Sequence, residues 1–203
     1  MAVDGVDDVV AYRQVEGEKT RLRPALWGFS EDELRRRYKW SLDEDLQYWS
    51  GTIPGGRSYT QFRETVAQRD WPNDNRRISY AILDRDGDLI GMVSCYNVDH
   101  DRGTGELGVY IGEQGLWGQG YGTDAVTTFL WHLFDDLGFR TVYLHTHEAN
   151  IRAQRSYIAI GFETVNRRRR YSSRLGYHDE LEMTISCERF KQLHTESVPS
   201  AST

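Results

Sequence analysis

The sequence predicts one α/β (α+β) domain with mixed sheet pairing. In its first half, strand-like segments are joined by a short turn that contains Asp-Gly, a pattern typical of antiparallel neighbours. In its second half, strand-like and helix-like segments alternate, as they do in α/β domains. The length of 203 residues is sufficient for one full hydrophobic core and short for two domains.

Composition divides the chain into three predicted regions. Residues 1–18 predict a loose N-terminal leader, and the polar residues 191–203 predict a disordered C-terminal tail. Residues 19–190 form the single predicted domain between them, without an internal repeat. Because the first residues are acidic and lack an apolar core, we expect no secretory signal.

The first predicted elements are a strand and a group of short helices. Residues 20–24 alternate and end in Pro, which favours a strand. Three capping-box signatures follow, each a serine with an acid or amide three residues later: Ser30 with Glu33, Ser41 with Glu44, and Ser58 with Gln61. Each predicts a helix start, and the Gly/Pro stretch 51–56 separates the last two.

Three strands are predicted next. Residues 78–83 and 89–96 flank the turn 84–88, whose Asp86-Gly87 pair predicts a hairpin. Residues 105–111 predict a third strand that leads towards a glycine-rich loop.

The second half begins with the clearest helix. Apolar residues recur at helical spacing over 125–137, and Gly138 is a natural stop. Residues 141–146 then predict a strand, which the next helix follows directly.

That next helix is bounded by residues suited to its two ends. Asn150 can cap its N-terminus, and Gly161 can end it after Ile160. Residues 162–170 and 178–186 predict the last two strands of the sheet.

Charge and cysteine content exclude several classes of protein. The net charge of −6 argues against a nucleic-acid partner, and no apolar run approaches the roughly 18 residues of a membrane span. The only strong basic cluster is Arg167–Arg170, which is either a solvated strand or a surface near an anionic ligand. The two cysteines, Cys95 and Cys187, are too few for a disulfide scaffold, so we expect a cytoplasmic location.

A glycine loop lies between the third strand and the long helix. Gly118, Gly120 and Gly122 combine backbone freedom with a helix N-terminus, which together suit a diphosphate group. The spacing fits neither a Walker A loop, since no Lys-Ser/Thr follows, nor a dinucleotide fingerprint, whose sixth position would be Thr123. A glycine-rich turn without a ligand stays the alternative.

Two motifs resemble those of GCN5-related N-acetyltransferases. The loop is similar to the family's Gln/Arg-x-x-Gly-x-Gly/Ala, although Trp117 stands where Gln or Arg is usual. The second motif is similar to Asn-x-x-Ala-x-x-x-Tyr-x-x-x-Gly-Phe, with Asn150, Ala153, Tyr157, Gly161 and Phe162. The resemblance is greatest to the branch of RimJ/RimL ribosomal-protein and spermidine N-acetyltransferases, and it covers about residues 19–190.

The resemblance implies a fold, a co-substrate and a set of contacts. The implied fold is a mixed, mostly antiparallel twisted sheet of about seven strands, flanked by about four helices. The implied co-substrate is acetyl-coenzyme A, with direct acetyl transfer to a primary amine and no metal. The residues implied to contact it are Val109, Tyr110, Ile111, Trp117, Gly118, Gln119, Gly120, Tyr121, Gly122, Thr123, Asn150 and Ala153.

Candidate catalytic residues follow from the same resemblance. Tyr157 is implied to protonate the departing thiolate, and a core tyrosine is the alternative. Glu106 is the candidate base for the amine, and a surface glutamate is the alternative. Three further candidate bases are Asp99, His100 and Glu113. A main-chain N–H of strand 109–111 is expected to polarise the acetyl carbonyl.

The acceptor is the least determined part. Trp40, Tyr48 and Trp49 are candidate substrate residues, with core positions as the alternative. We expect a small-molecule amine or a protein N-terminus, no nucleic-acid or membrane partner, and a homodimer by family habit. His145 and His147 alternate on a strand without the other ligands of a metal site.

Two other functions share the glycine loop. One is a non-catalytic coenzyme A-binding or regulatory module of the same fold, which needs neither a base nor an acceptor pocket. The other is a nucleotide-binding domain of another type.

Overall fold

The computed structural model describes residues 12–50, 56–70, 76–172 and 176–195. Its centre is one eight-stranded sheet. The strands are β1 Val15–Glu16, β2 Arg21–Pro24, β3 Ile78–Leu83, β4 Leu89–Asp99, β5 Thr104–Ile111, β6 Thr141–His147, β7 Glu163–Ser172 and β8 Gly176–Ser186. They are ordered β1-β2-β3-β4-β5-β6-β8-β7, and every neighbouring pair is antiparallel except β5 and β6.

Six α-helices pack on the sheet within the described residues. They are α1 Glu31–Ser41, α2 Glu44–Ser50, α3 Tyr59–Asp70, α4 Tyr121–Trp131, α5 Ile151–Ile160 and α6 Cys187–Thr195. The predicted mixed, mostly antiparallel α/β fold is confirmed, with eight strands for about seven and six helices for about four. No helix in these ranges is long and apolar enough to span a bilayer.

The ends of the domain extend beyond the predicted boundaries. Val15–Glu16 pairs with β2, so the predicted leader contributes an edge strand. Helix α6 runs from Cys187 to Thr195, so a tail that starts at residue 191 would start inside this helix. Phe190 is fully buried in the core, which holds the helix in place.

Two of the three predicted capping boxes are present. Ser30 Oγ accepts from the Glu33 N–H, while the Glu33 carboxylate accepts from the Ser30 N–H. Ser58 and Gln61 make the same reciprocal pair before α3. Each pair satisfies two helix-end donors that would otherwise lack a partner.

The middle capping box, Ser41 with Glu44, is wrong. Ser41 belongs to the last turn of α1, where its hydroxyl donates to the Tyr38 carbonyl at 2.6 Å. Asp43 caps α2 instead, accepting from the Leu46 N–H at 3.0 Å. An aspartate two residues later competes for the cap, and the Gly/Pro stretch between α2 and α3 lies almost entirely outside the described residues.

The core has a cluster on each face of the sheet. The larger cluster packs apolar residues of the strands against α4 and α6, with Phe129 and Phe190 fully buried. The smaller cluster packs the opposite face against α1 and α2 through Trp40 and Leu46. Side chains of β3 alternate between them, since Tyr80 belongs to one cluster and its neighbour in sequence to the other.

The parallel pair β5–β6 is joined along only part of its length. The ladder pairs Thr104 to Glu106 of β5 with Thr141 to Tyr143 of β6 and then ends. Both strands continue, to Ile111 and His147, without pairing to each other. A cleft therefore opens between β5 and β6 in the middle of the sheet, while β5 stays paired with β4 and β6 stays paired with β8.

Candidate functional site

A cavity of about 290 Å³ occupies the cleft where β5 and β6 separate. Strand residues, the glycine loop and one face of α5 line it together. Most of the residues predicted to contact the co-substrate line it: Val109, Tyr110, Ile111, Trp117, Gly118, Gly120, Gly122, Thr123, Asn150 and Ala153. Gln119 and Tyr121 lie in the loop but do not line the cavity, and Tyr157 does.

The loop exposes an uncapped helix N-terminus to this cavity. Gly118 and Gly120 have φ of 74° and 88°, a backbone region that glycine adopts without strain. Gly120 is the N-cap of α4 and has no side chain that could cap the helix. The first hydrogen bond of the helix runs from the Asp124 N–H to the Gly120 carbonyl. The backbone N–H groups of the helix before Asp124 therefore lack helical acceptors and are free to hold an anion.

Gly122 gives an independent sign of a ligand at the loop. It lies in the first turn of α4, where its φ is not positive, so the backbone does not require glycine. A Cβ at this position would meet only Ile111 Cγ1, at 3.6 Å, which is an ordinary contact. Neither strain nor packing explains the missing side chain, whereas a group bound closely above the helix would.

The carboxylate of the acidic residue in this helix turn is bound by the turn between β1 and β2. The Asp124 carboxylate accepts from the N–H groups of Glu18, Lys19 and Thr20 and from the Thr20 hydroxyl, at 2.6–3.1 Å. Its charge is thereby held away from an anion at the helix end. The same turn brings Lys19 Nζ to the Gln119 carbonyl at 2.9 Å, which adds a cation beside the loop.

Trp117, the residue that departs from the family motif, anchors the loop. Its Nε1–H donates to the Ile111 carbonyl at 2.8 Å, which ties the loop to the end of β5. The Arg152 guanidinium lies over its ring, 3.8 Å from the centroid. Burial lowers the pKa of Arg152, but a guanidinium stays protonated at neutral pH, so the cavity has a fixed cation.

Helix α5 presents its polar and reactive groups to the same cavity. Asn150 caps the helix by accepting from the Ala153 N–H at 3.2 Å, as predicted. One turn beyond Ala153, Tyr157 contributes a hydroxyl that has no hydrogen-bond partner among the described residues. Burial raises the pKa of Tyr157 to about 12, so the phenol is protonated at neutral pH.

Glu106 lies behind the cavity wall rather than in it. Its carboxylate accepts from His145 Nδ1 at 2.8 Å, from Asn97 Nδ2 at 2.9 Å and from the Tyr96 hydroxyl at 3.3 Å. Tyr96 and His145 line the cavity, and Glu106 does not. The carboxylate predicted as the base is therefore separated from the cavity by two of its own donors.

The contacts of His145 fix its tautomer. Its Nε2 lies within hydrogen-bond distance of Arg168 Nη2, and a guanidinium can only donate. Nε2 is therefore the acceptor, and Nδ1 carries the proton that goes to Glu106. Both ring nitrogens are engaged in this network, and within the described ranges no cluster of three or more His, Cys, Asp or Glu residues could hold a metal.

The three alternative bases lie away from the cavity. Asp99 accepts from the Arg102 N–H in the turn between β4 and β5, next to His100. Glu113 accepts from Trp40 Nε1 at 3.1 Å. None of the three lines the cavity, so Glu106 is the carboxylate connected to it.

Of the three candidate substrate residues, only Trp49 lines the cavity. Trp40 belongs to the smaller core cluster, 3% exposed, with its ring edge against Tyr110, which is the core position given as the alternative to a substrate role. Tyr48 is exposed and packs against Trp49 at 4.6 Å between ring centroids. Both rings contact His147, so an aromatic surface stands at this edge of the cavity.

His147 is uncharged at neutral pH in this surface. Its ring stacks on His178 at 5.0 Å with an interplanar angle of 10°. Burial, and then the neighbouring His178, lower the pKa of His147. The edge of the cavity is thus aromatic, with the carboxylates of Asp179, Glu148 and Glu180 nearby.

The cysteines and the arginine run have structural surroundings. Cys95 is fully buried, and burial raises the pKa of its thiol; neither Cys95 nor Cys187 lines the cavity. Arg167–Arg170 lies on β7, paired with the β8 segment that contains Asp179 and Glu180. Ion pairs join these side chains across the two strands, including Arg167 to Asp179 at 3.1 Å. The run is a salt-bridged strand, as the structural interpretation predicted.

Sequence reasoning missed four residues that shape the site. Lys19 and Arg152 supply its cations, and Tyr96 and His145 hold Glu106. Tyr96 had a usable signal, because hairpin register places it directly opposite Glu106. The other three depend on contacts between distant parts of the chain.

Comparison with known proteins agrees with this geometry. The family model described as an acetyltransferase (GNAT) domain matches residues 22–163. An uncharacterized protein of Methanocaldococcus jannaschii is 29% identical over 100 residues, 49% of this chain. The chain spans only 20% of the length of that curated relative.

Solved structures share the fold at low identity. Spermidine N-acetyltransferase from Vibrio cholerae, solved with CoA and spermine, superposes with a TM-score of 0.73 at 19% identity, covering 84% of this chain and 97% of that one. RimJ of Mycobacterium smegmatis, solved with CoA-disulfide, gives 0.74 at 18%, covering 87% and 88%. A GCN5-related N-acetyltransferase from Brucella melitensis gives 0.73 at 20%, covering 90% and 82%. Because the family model matches more than half of the length of this chain, the chain belongs to the GNAT acetyltransferase family.

Proposed function

We propose that the protein is an acetyl-CoA-dependent N-acetyltransferase that acts on a primary amine. One observation carries the proposal: an uncapped helix N-terminus and a protonated phenol without a partner face the same cavity. The first suits a diphosphate, and the second suits a leaving thiolate. A ligand with a diphosphate at one end and a thioester at the other matches both.

The residues present fit such a ligand. The amides that precede Asp124 and the cations Lys19 and Arg152 would hold the diphosphate. Because Gly122 has no side chain, the diphosphate could approach the backbone of α4 closely. The small side chain of Ala153 leaves room along α5 for the narrow part of coenzyme A that carries the thioester. When bound, acetyl-CoA supplies an acyl group already activated as a thioester.

The chain's own groups then divide the proton chemistry. A main-chain N–H of Val109–Ile111, which lines the cavity, would donate to the acetyl carbonyl oxygen. Tyr157 would donate to the leaving sulfur. Because the pKa of Tyr157, about 12, exceeds that of a thiol, about 8.5, the resting phenol is protonated at neutral pH. Tyr157 would first stabilise the thiolate by hydrogen bonding, and the proton that it then gives to the sulfur would be replaced. Direct transfer is expected, since neither cysteine reaches the cavity.

Two structural neighbours and the edge of the cavity support a class of acceptor. Two of the structural neighbours are named as a spermidine N-acetyltransferase and RimJ. The net charge of −6 and the aromatic surface of Tyr48, Trp49 and His147 support a cationic amine, either a polyamine or a protein N-terminus. Cytoplasmic location and a homodimer stay predictions.

A panel of amines with detection of released thiol tests the proposal. Polyamines, aminoglycosides and short peptides with free N-termini are each incubated with acetyl-CoA and protein, and at least one should release coenzyme A above the no-amine control. Thermal stabilisation by CoA without turnover of any amine would contradict the enzyme and favour a non-catalytic CoA-binding module. Stabilisation by ATP rather than CoA would favour another nucleotide-binding function.

A further inference from the structure

The pair Tyr96–Glu106 connects the cavity to a carboxylate outside it. The two residues are directly opposite each other on β4 and β5, and the Tyr96 hydroxyl donates to Glu106 Oε1 at 3.3 Å. Tyr96 lines the cavity together with Tyr157, from a different element. The two phenols thus face one cavity, but only the first has a carboxylate behind it.

The backbone is adapted to this pair in two places. Asn97 has a φ of 52°, uncommon for a residue other than glycine, and it lies where the β4–β5 register shifts. This conformation lets successive side chains, Tyr96 and Asn97, both reach Glu106, which a regular strand forbids. On β5, a Cβ at Gly108 would lie 2.9 Å from Tyr96 Cε1, so glycine leaves room for the ring.

The charged and titratable neighbours leave Glu106 as the destination for a proton. Arg77 lies over the Tyr96 ring at 5.4 Å, and burial followed by the nearby Glu106 raises the pKa of Tyr96. His145 faces Glu106 from β6, but its ring nitrogens are occupied by Glu106 and Arg168. Glu182 of β8 lies 3.9 Å from His145 Nε2, outside hydrogen-bond distance. A guanidinium cannot accept a proton, and His145 can do so only by losing Arg168.

We propose that Tyr96 relays the proton of the acceptor ammonium to Glu106. The ammonium gives one proton to the Tyr96 oxygen while the phenol's own proton passes to Glu106, so Tyr96 is unchanged and the carboxylate becomes a carboxylic acid. The neutral amine then attacks: a C–N bond forms, the C–S bond breaks, and the sulfur takes a proton from Tyr157. The second nitrogen proton restores Tyr157 through solvent, and Glu106 returns its proton to solvent.

This inference rests on the proposed function and is tested by Tyr96→Phe, which keeps the ring and removes the relaying oxygen. The probes are spermidine, and a tripeptide whose α-amine has a pKa of about 8. At pH 7, kcat/KM for the amine should fall about 10²-fold with CoA affinity unchanged. The Tm should fall only slightly, because Glu106 keeps its contacts with His145 and Asn97. The loss should shrink as pH approaches the pKa of the amine, and therefore at lower pH for the tripeptide than for spermidine.

A matched control separates the relay from general electrostatics. Tyr143 lies beside Glu106 on β6, and burial and then Glu106 raise its pKa, but it does not line the cavity. Tyr143→Phe should keep the wild-type pH profile. Because Tyr96 and Glu106 act in series, Y96F/E106Q should be no slower than the slower single variant.

The failures of the two proposals differ. Wild-type protein that acetylates neither probe nor any amine of the panel overturns the proposed function and the relay with it. Active wild-type protein with an unchanged Y96F profile, or equal changes in Tyr143→Phe, overturns the relay alone. Additive losses in the double variant would do the same.

Discussion

The two walls of the cavity are built in opposite ways. The loop wall consists of Trp117, Gly118, Gly120 and Gly122 with the α5 face from Asn150 to Tyr157, two short stretches that each contain their own motif. The strand wall consists of Tyr96 and His145, which come from different strands and both donate to Glu106, on a third strand behind the wall. The first wall follows from local sequence, and the second exists only when the sheet is assembled.

Under the proposed function, this difference assigns cofactor binding mainly to the loop wall and deprotonation of the amine to the strand wall. The loop wall consists mainly of backbone amides and glycines, so ligand binding there depends on the backbone conformation of the loop. The strand wall consists of side chains that donate to one carboxylate, so its hydrogen bonds depend on the register in which the strands pair. Substitutions in the loop wall other than at Tyr157 should therefore change affinity for coenzyme A, whereas those in the strand wall should change turnover and its pH dependence.

The largest expected effect is at Gly122. Gly122→Val should raise the Kd for CoA by about 10³-fold, about 4 kcal/mol, because the side chain fills the approach to the helix N-terminus. The fold should persist, since the protein itself leaves room for a Cβ there. Isothermal titration with CoA measures the affinity, and Gly115→Val, in open space outside the cavity, is the control. An unchanged Kd for CoA in Gly122→Val would contradict the proposal that the loop wall binds coenzyme A.

Tyr157→Phe is next, and it tests the one proton-transfer group placed on the loop wall. We expect kcat to fall about 10²-fold with CoA affinity unchanged. Because the pKa of Tyr157 is about 12, wild-type kcat should show no falling limb from its ionisation below about pH 11. Steady-state rates from pH 6 to pH 10 check both statements. Wild-type turnover in the Phe variant would remove Tyr157 from the chemistry.

Gly108→Ala tests the strand wall by steric means alone. The added Cβ would displace the Tyr96 ring, 2.9 Å away, and so lengthen its contact with Glu106. We expect kcat to fall about tenfold and the free energy of unfolding to fall by about 1 kcal/mol. Titration with CoA should give wild-type affinity. Because Gly108 also lines the cavity, a raised Kd for CoA with wild-type kcat would show that the two walls are not separable.

The smallest effect is expected at Arg152. Arg152→Met removes the cation held over Trp117 and should raise the Kd for CoA about two- to fivefold, the equivalent of about 0.5–1 kcal/mol. Arg155→Met, one turn along the same helix and exposed, is the charge-matched control. Equal losses in the two variants would indicate a general field rather than a contact at the loop wall.

The helix ends and the hairpin that were predicted correctly are determined by residues close to one another in the sequence. The caps at Ser30, Ser58 and Asn150 and the glycine end at Gly161 each depend on groups within one helical turn. The hairpin β3–β4 follows from its Asp-Gly turn. The middle cap failed because two polar residues compete within one turn, and pattern alone does not rank them.

The sequence alone determined the loop wall, the protonated phenol one turn after Ala153, and the family motifs that link them. Only tertiary structure decided that Trp40 is core, that Asp124 captures a turn 104 residues away, and that Glu106 stands behind Tyr96. The physical reason is the separation in sequence between the residues that interact. A helix N-terminus and a glycine conformation are set by adjacent residues, whereas the surroundings of a carboxylate are set by whichever strands the sheet brings beside it.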